Sequence, residues 1–516
     1  MNMLKRIIFL QLLPLMVMLG CSDQGKEQLG DLSFEVDGKE EAQSSFKRGL
    51  LLLHSFEFED AADAFLAART IDPDFVMAYW GEAMTCNHPL WRFQDKDKAM
   101  LILNALSTDP EKRIDLAQTE IEKDFMRAIH TLYGQGSKED NDQAYAEHMK
   151  KMYEKYPGHD EVASFYSIAL LGSISSGRDE AIHQKAADIA KEVIERSPRH
   201  PGALHYYIHA YDDPENARQA VAAADRYSEV APSAAHALHM PSHIYLAIGD
   251  WSKVISSNED SWKASYDRKI SKGLSNDALD YHSLHWLLYG YIQVGKYDKA
   301  QSLLEDMMDY CEELPSVRAR YHLVLMRSTF AIGTNQFNHP SLDIKMEMND
   351  LNVLYRTIDR SVKSMKAYNR RDSASLYELS RAIKKDIYFN EIFLSSEDVK
   401  LCSGSDPTVP NSFDIQQAKV MEIQSQALMA RLSGEEEKAY SLLQEAVNIE
   451  MEISQAYGPP PIVKPSAELM GEWQIKDGHP DKAIDYFKQS LVQAPNRTMS
   501  KEGKAFALSL LDTKEL

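Results

Sequence analysis

Small residues, an aromatic residue and a proline recur at the same intervals in two widely separated parts of the chain. The intervals are 12, 4 and 8 residues in both parts. The first set is Gly49, Ala61, Phe65 and Pro73, and the second is Gly471, Ala483, Phe487 and Pro495. Small residues at these intervals let two helices cross closely, and proline often ends such a unit. The pattern therefore predicts repeated pairs of antiparallel helices.

Residues 201–300 carry landmark residues of the same kinds (mostly small, aromatic or proline residues) at matching repeat positions. They are Ile208, Tyr211, Ala220 and Pro232, then Tyr245, Gly249 and Trp251, then Tyr291, Gly295, Tyr297 and Ala300. With a repeat of about 34 residues, this pattern resembles the tetratricopeptide repeat (TPR) family. The resemblance implies an all-α fold, a TPR-type α-solenoid in which antiparallel helix pairs form a superhelix. It also implies a concave groove lined by the first helix of each pair.

The landmarks divide the chain into segments. The predicted segments are a leader at 1–20, a flexible tether at 21–40, N-terminal repeats at 41–110, degenerate helical repeats at 111–200, histidine-rich repeats at 201–310, an irregular helical region with a loop at 311–415 and C-terminal repeats at 416–516. The proline-rich stretch 457–465 is expected to be extended, because each proline disfavours helix in the residue before it. It could cross the groove or link two repeats, and we favour the link.

The first 20 residues have the pattern of a targeting leader. Lys5 and Arg6 precede an apolar run at 7–19, which is too short for a typical membrane span. The run ends in Met-Leu-Gly-Cys, which resembles a bacterial lipobox and implies cleavage before Cys21 and lipidation of that residue. Ser22 resembles the outer-membrane sorting pattern. These resemblances imply a lipid-anchored protein of the bacterial cell envelope, at the outer membrane.

Histidine is concentrated on one predicted face of three successive helices. Positions 2, 5 and 9 of the first helix in each repeat are three or four residues apart, so they share a face. Those nine positions hold Gly202, His205, His209, His236, His239, His243, His282, His285 and Tyr289. Seven of the nine are histidine, whereas chance would supply about 0.3 from 17 histidines in 516 residues. The sequence therefore predicts a histidine-lined groove, with Asp212 at its rim.

Neutral imidazole is a good ligand for zinc, copper and iron. His205 with His209, and His239 with His243, are spaced so that two rings can converge on one ion. We therefore predict these four as candidate metal ligands, with Asp212 as a further one. Pro241 is expected to kink the helix between His239 and His243 and to separate their rings. The alternatives are a metal-free groove that binds a peptide, or histidines that serve packing.

The net charge and the absence of several known motifs disfavour some classes of function. The net charge of −21 disfavours a nucleic-acid partner, whose phosphates would be repelled. Phosphate-binding glycine loops, nucleophile elbows and the HExxH zinc motif are absent from the sequence. The whole chain resembles a group of large, histidine-rich bacterial TPR lipoproteins with HYxIHxxD, HMPSHI and PPPxxxPxxELxGEW elements. We predict an envelope-anchored scaffold that binds a protein, peptide or small ligand in the groove. The alternative is a histidine-ligated metalloprotein with zinc, copper or iron, and an enzymatic role is not favoured.

Overall fold

The computed structural model describes residues 27–175, 177–395, 410–453 and 458–512. The predicted leader, Cys21 and the start of the tether lie outside the described residues, as does most of the predicted loop, at 396–409. Within the described ranges the chain is helical, apart from a hairpin of two short strands, β1 (Asn87–His88) and β2 (Phe93–Gln94). The predicted all-α fold is confirmed. None of the described helices has the length and apolar character to cross a membrane.

The helices follow one another in antiparallel pairs along the chain. The first group is α1 (Glu40–His54), α2 (Phe58–Ile71), α3 (Val76–Met84), α4 (Lys96–Leu106), α5 (Pro110–Leu116), α6 (Glu120–Leu132), α7 (Lys138–Lys155), α8 (Asp160–Gly172) and α9 (Glu180–Arg196). The central group is α10 (Pro201–Ala210), α11 (Val221–Val230), α12 (Ala235–His239), α13 (Pro241–Ile248), α14 (Trp251–Lys272), α15 (Tyr281–Gln293) and α16 (Tyr297–Glu313). The last group is α17 (Val317–Thr334), α18 (Val353–Asn369), α19 (Ser373–Ser395), α20 (Ser412–Leu432), α21 (Glu436–Glu452), α22 (Ser466–Lys476), α23 (Pro480–Gln493) and α24 (Thr498–Asp512).

The small landmark residues lie where paired helices cross. A Cβ atom added to Gly49 of α1 would stand 2.9 Å from the ring of Phe65 in α2. Gly471 of α22 has the same relation to Phe487 of α23, again at 2.9 Å. A larger residue at either glycine would push the helices apart, which explains the recurring spacing. The chain is therefore a TPR-type α-solenoid, as predicted.

The turn after α13 shows how the sequence ends one helix and starts the next. Gly249 has φ 76°, a left-handed conformation that glycine adopts without steric cost. The next residue, Asp250, accepts a hydrogen bond from the backbone N–H of Lys253 and so caps α14. This turn orients α13, which carries His243, against α14.

The superhelix curls until both ends contact the central repeats. On one side, Arg268 and Lys272 of α14 each lie 2.7 Å from the Asp60 carboxylate of α2. On the other side, the backbone N–H of Thr498 donates to Gln293 of α15 at 2.8 Å. These contacts join parts of the chain that lie about 200 residues apart. The histidine face of the central repeats is therefore enclosed.

The proline-rich stretch lies against this enclosed face. Gly458 packs so closely on the indole of Trp286 in α15 that a Cβ atom would overlap it. Pro460 lines a small cavity together with Asp212, His243 and Tyr289. The stretch therefore contacts the groove, and the favoured interpretation as a link between repeats alone is wrong.

Candidate metal centre

Six of the histidines predicted to line the groove converge in two sets of three. We call His205, His209 and His236 the first triad. The second triad consists of His239, His243 and His282. Within each triad, one ring nitrogen from every histidine lies within 4.8 Å of the other two. The two triads have no residue in common, and together they draw on α10, α12, α13 and α15.

Pro241 does not separate His239 from His243. Proline ends α12 at His239 and begins α13, because it lacks the N–H that a continuous helix requires. Met240 between them nevertheless keeps helical dihedral angles, φ −52° and ψ −38°. The two Nε2 atoms lie 3.0 Å apart. The separation expected from the sequence is therefore not seen.

In this pair, an oxygen atom contacts the Nδ1 atom of each ring. His239 Nδ1 lies 2.7 Å from Oδ1 of Asn258, whose amide orientation is fixed because its Nδ2 donates to the Val254 carbonyl. His243 Nδ1 contacts the Asp212 carboxylate. When a ring Nδ1–H donates to an acceptor, the Nε2 atom carries the lone pair. Metal-ligating histidines in proteins are oriented by partners of this kind.

The first triad is oriented in a similar way. His205 Nδ1 donates to the backbone carbonyl of His54 at 2.7 Å, so its Nε2 carries the lone pair. That Nε2 lies 3.2 Å from Nε2 of His236. His209 Nε2 is buried and has no hydrogen-bond partner among the described residues. Leaving such an atom unpaired costs roughly 1–3 kcal/mol, which a bound cation would offset.

Burial keeps these imidazoles neutral. It lowers the pKa of every histidine in both triads, and neighbouring histidines lower it further in most of them. Burial also raises the pKa of Asp212 to about 8, with Arg178 opposing that shift. Without metal, the Asp212 carboxyl thus keeps a proton near neutral pH. A cation at Nε2 would favour the ionised carboxylate instead.

Two predicted groove residues, His285 and Asp212, lie differently from expectation. His285 turns away from the triads, and its Nε2 lies 3.0 Å from the Thr329 hydroxyl in α17. Tyr289 lines the small cavity with Asp212 and His243, and its ring packs against Trp251 with centroids 5.7 Å apart. Asp212 is buried against His243 and is not at the rim. The helices that carry these contacts, α13, α14 and α17, are neighbours whose side-chain contacts the repeat pattern alone does not fix.

A third histidine cluster lies beneath the first triad, and the sequence did not predict it. The Glu161 carboxylate is 2.7 Å from His54 Nε2 and 3.1 Å from His200 Nε2, and all three side chains are fully buried. His54 Nδ1 also bonds the Tyr206 hydroxyl, and His200 Nδ1 accepts from the Ala203 N–H. Because both nitrogens of each ring have partners, this cluster ties α1, α8 and α10 together.

One of the features missed from the sequence, the buried position of His54, has a partial signal. The ring of His54 occupies the place where a side chain at position 202 would stand, which explains why Gly202 interrupts the histidine pattern. That histidine was visible at the groove edge of the first repeat. Asn258 lies on the second helix of its repeat, and no sequence signal distinguishes it from other polar residues there.

An open cleft of about 490 Å³ leads to the first triad. Its walls include the aromatic rings of Phe56, Phe58 and Trp91, and His236 and Asp280 lie on its surface. Phe93 at the mouth is 41% exposed. The cleft gives solvent and ligands access to one side of the histidine cluster.

Neither a protein-family model nor a curated protein matches the chain. Among solved structures, it is similar to the Cut9–Hcn1 hetero-tetramer of the APC/C, at 12% identity over 92% of this chain and 78% of that chain, with a TM-score of 0.38. It is also similar to yeast Tom70, at 12% identity, 92% and 90% coverage and a TM-score of 0.33. The human IFIT1 dimer with m7Gppp-AAAA is similar at 12% identity, 85% and 95% coverage and a TM-score of 0.35. Similarities with TM-scores this low carry no argument about function.

Proposed function

We propose that this protein binds a transition-metal ion through its clustered histidines. The observation that carries the proposal is the 3.0 Å approach of the Nε2 atoms of His239 and His243. Both rings have oxygen atoms at the opposite nitrogen, which leaves the two Nε2 atoms to share a proton or a cation. His282 completes a set of three nitrogen donors at this point.

The spacing of the nitrogen atoms fits a small divalent ion. Imidazole nitrogens bind zinc at about 2.0–2.1 Å, so two ligands at a tetrahedral angle stand about 3.3 Å apart. The observed Nε2–Nε2 distances are 3.0 Å in the His239–His243 pair and 3.2 Å in the His205–His236 pair. A donor set of imidazoles with a nearby carboxylate suits zinc, copper or iron.

An ion bound at the first triad, beside the cleft, would have room for an exchangeable ligand. Three protein ligands with an open fourth position are the arrangement of catalytic zinc sites, whereas structural sites are closed by four. An ion of this kind can polarise water or a carbonyl group. We therefore propose metal binding with an accessible coordination position, without assigning a reaction.

A second candidate function is binding of a protein, peptide or small ligand in the cleft. The aromatic walls favour it, because exposed clustered aromatic side chains are typical of binding surfaces. Arg268 and Arg318 on the same cleft would favour an acidic group on that ligand. In this interpretation the solenoid acts as a scaffold, and lipidation of Cys21 would hold it at the cell envelope.

Elemental analysis tests the metal proposal. The full chain, purified without an oligohistidine tag, is expected to carry zinc, copper or iron near a stoichiometric amount, or to take it up again after chelator treatment. The double variant His239→Ala/His243→Ala should lose the metal bound at these two residues. His285→Ala is the matched control, because it removes a buried histidine from the same helix as His282 and should leave the metal content unchanged. A wild-type chain that neither carries metal nor takes it up contradicts the proposal.

Crosslinking in cells tests the second candidate. A bound partner should be captured by the wild-type chain and lost in Phe93→Glu, which places a charge at the mouth of the cleft. Leu101→Glu is the control, since Leu101 is 72% exposed on α4 and does not line the cleft. Equal capture by both variants would exclude the cleft as the binding site. Incorporation of labelled fatty acid, and its loss in Cys21→Ser, tests the lipid anchor separately.

A further inference from the structure

The two triads give the cluster more donors than one ion needs. A four-coordinate ion uses at most four histidines, and three if one position stays open. Six histidines converge here, as two complete sets of three that share no residue. Two zinc ligands at a tetrahedral angle stand about 3.3 Å apart. The Nε2–Nε2 distance of 3.2 Å between His205 and His236 in the first triad matches this separation as closely as the 3.0 Å between His239 and His243 in the second. One ion in the second triad would leave all three donors of the first triad unused.

The triads lie directly beside each other. The rings of His209 and His243, one from each triad, have centroids 5.6 Å apart. His236 and His239 make a second approach at 6.0 Å. Asp212 lies at this junction, because one of its carboxylate oxygens is within 4.8 Å of ring nitrogens of both His209 and His243. Paired ions in two-metal sites lie about 3.5–4 Å apart, which requires adjacent ligand sets of this kind.

We propose that the histidine cluster is a two-metal centre, in which each triad binds one transition-metal ion. This inference rests on the proposed metal-binding function and deepens it. His209 supplies an independent observation in the first triad, because its Nε2 is buried without a hydrogen-bond partner among the described residues. A second ion gives that atom its partner. In the second triad the Nε2 atoms of His239 and His243 lie 3.0 Å apart, a contact that one proton or one ion can bridge.

Negative charge near the cluster is arranged to compensate two cations. Asp212 contacts His243 of the second triad. Glu57 accepts the backbone N–H of His236 at 2.9 Å beside the first triad. Asp280 accepts the backbone N–H of His282 at 3.1 Å and faces the cleft. Six neutral imidazoles alone would leave two divalent ions uncompensated in a partly buried site, and these carboxylates offset that charge.

Metal stoichiometry distinguishes one ion from two. The full chain is stripped with a chelator and titrated with Zn²⁺ alone, and bound zinc is measured by elemental analysis after desalting. The wild-type chain should bind two equivalents. His205→Ala/His236→Ala should bind one, and His239→Ala/His243→Ala should bind the other one. His285→Ala should keep both equivalents.

The possible outcomes separate this inference from the proposed function. One equivalent in the wild-type chain, lost only when His239 and His243 are replaced, would overturn the two-metal centre and leave the metal-binding proposal standing. Zero equivalents would overturn both.

Electron paramagnetic resonance of the wild-type chain loaded with Cu²⁺ gives a second test that needs no variant to fold. Two adjacent Cu²⁺ ions should couple, so that the integrated signal falls below the copper content from elemental analysis. A signal equal to the copper content at full loading would contradict adjacent ions.

Discussion

Replacing Asp212 by asparagine tests whether the contact between Asp212 and His243 supports metal binding. The substitution keeps the size of the side chain and an oxygen acceptor, but it removes the negative charge beside His243. Partners that orient a metal-ligating histidine are typically worth 10–100-fold in metal affinity. We therefore expect Asp212→Asn to weaken metal binding by about 10–100-fold, which corresponds to about 1.4–2.8 kcal/mol.

The same substitution should not destabilise the metal-free protein. Burial raises the pKa of Asp212 to about 8, so the metal-free carboxyl already carries a proton near neutral pH. An uncharged amide therefore replaces an uncharged acid in the folded state. Because the acid ionises on unfolding at neutral pH and an amide does not, the free energy of unfolding should stay the same or rise. A selective loss of affinity distinguishes a metal partner from a residue needed only for folding.

Competition with a chromophoric chelator measures the affinity, and chemical denaturation in the presence of chelator measures the stability. Asp213→Asn is the matched control. Asp213 is the next residue, but its carboxylate pairs with Arg178 at 2.8 Å and not with a histidine of either triad. It should change the affinity by less than about threefold. Wild-type affinity in Asp212→Asn, or the same loss in both variants, would refute the reasoning.

Three further substitutions test the surrounding structure. Glu161→Ala removes the acceptor of two buried ring N–H groups, on His54 and His200, and should lower the free energy of unfolding by about 2–6 kcal/mol; an unchanged denaturation curve would contradict the role of this cluster. Gly458→Val should lower the free energy of unfolding by about 1–3 kcal/mol and alter indole fluorescence, because Gly458 has φ 96° and abuts Trp286. Gly478, at φ 84°, lies in open space, so Gly478→Val should introduce backbone strain without changing that fluorescence. Burial lowers the pKa of His285 to about 4, so the unfolded chain binds a proton first and stability falls as the pH drops below about 6.5. At pH near 5.5 this loss is about 1.4 kcal/mol, and His285→Gln should remove it when the free energy of unfolding is measured between neutral and mildly acid pH; an identical pH slope in the variant would contradict the assignment.

The sequence was sufficient for the helix pairs because their determinants are local. Gly49 with Phe65, and Gly471 with Phe487, are neighbours within one repeat, and any change in their spacing would disrupt the crossing. The histidines of each triad that share a helix, such as His205 and His209, are likewise one turn apart. Local periodicity therefore placed six of the seven predicted histidines in one cluster.

The remaining features depend on how the superhelix curls. Asn258 reaches His239 from the second helix of the repeat, and the His54 carbonyl reaches His205 across about 150 residues. His285 shares the helical face of His282, yet its Nε2 lies 3.0 Å from the Thr329 hydroxyl of α17. Repeat spacing does not encode which neighbouring helix a side chain contacts.

The sequence alone thus determined an all-α repeat fold with histidines on one helical face, because helical periodicity fixes which side chains share a face. Only the tertiary structure decided that this face is enclosed, that Asp212 is buried against His243, and that six histidines form two adjacent triads. The physical reason is that the curl arises from many weak contacts between distant helices, such as Arg268 with Asp60 and Thr498 with Gln293, and it brings ring nitrogens from different repeats together.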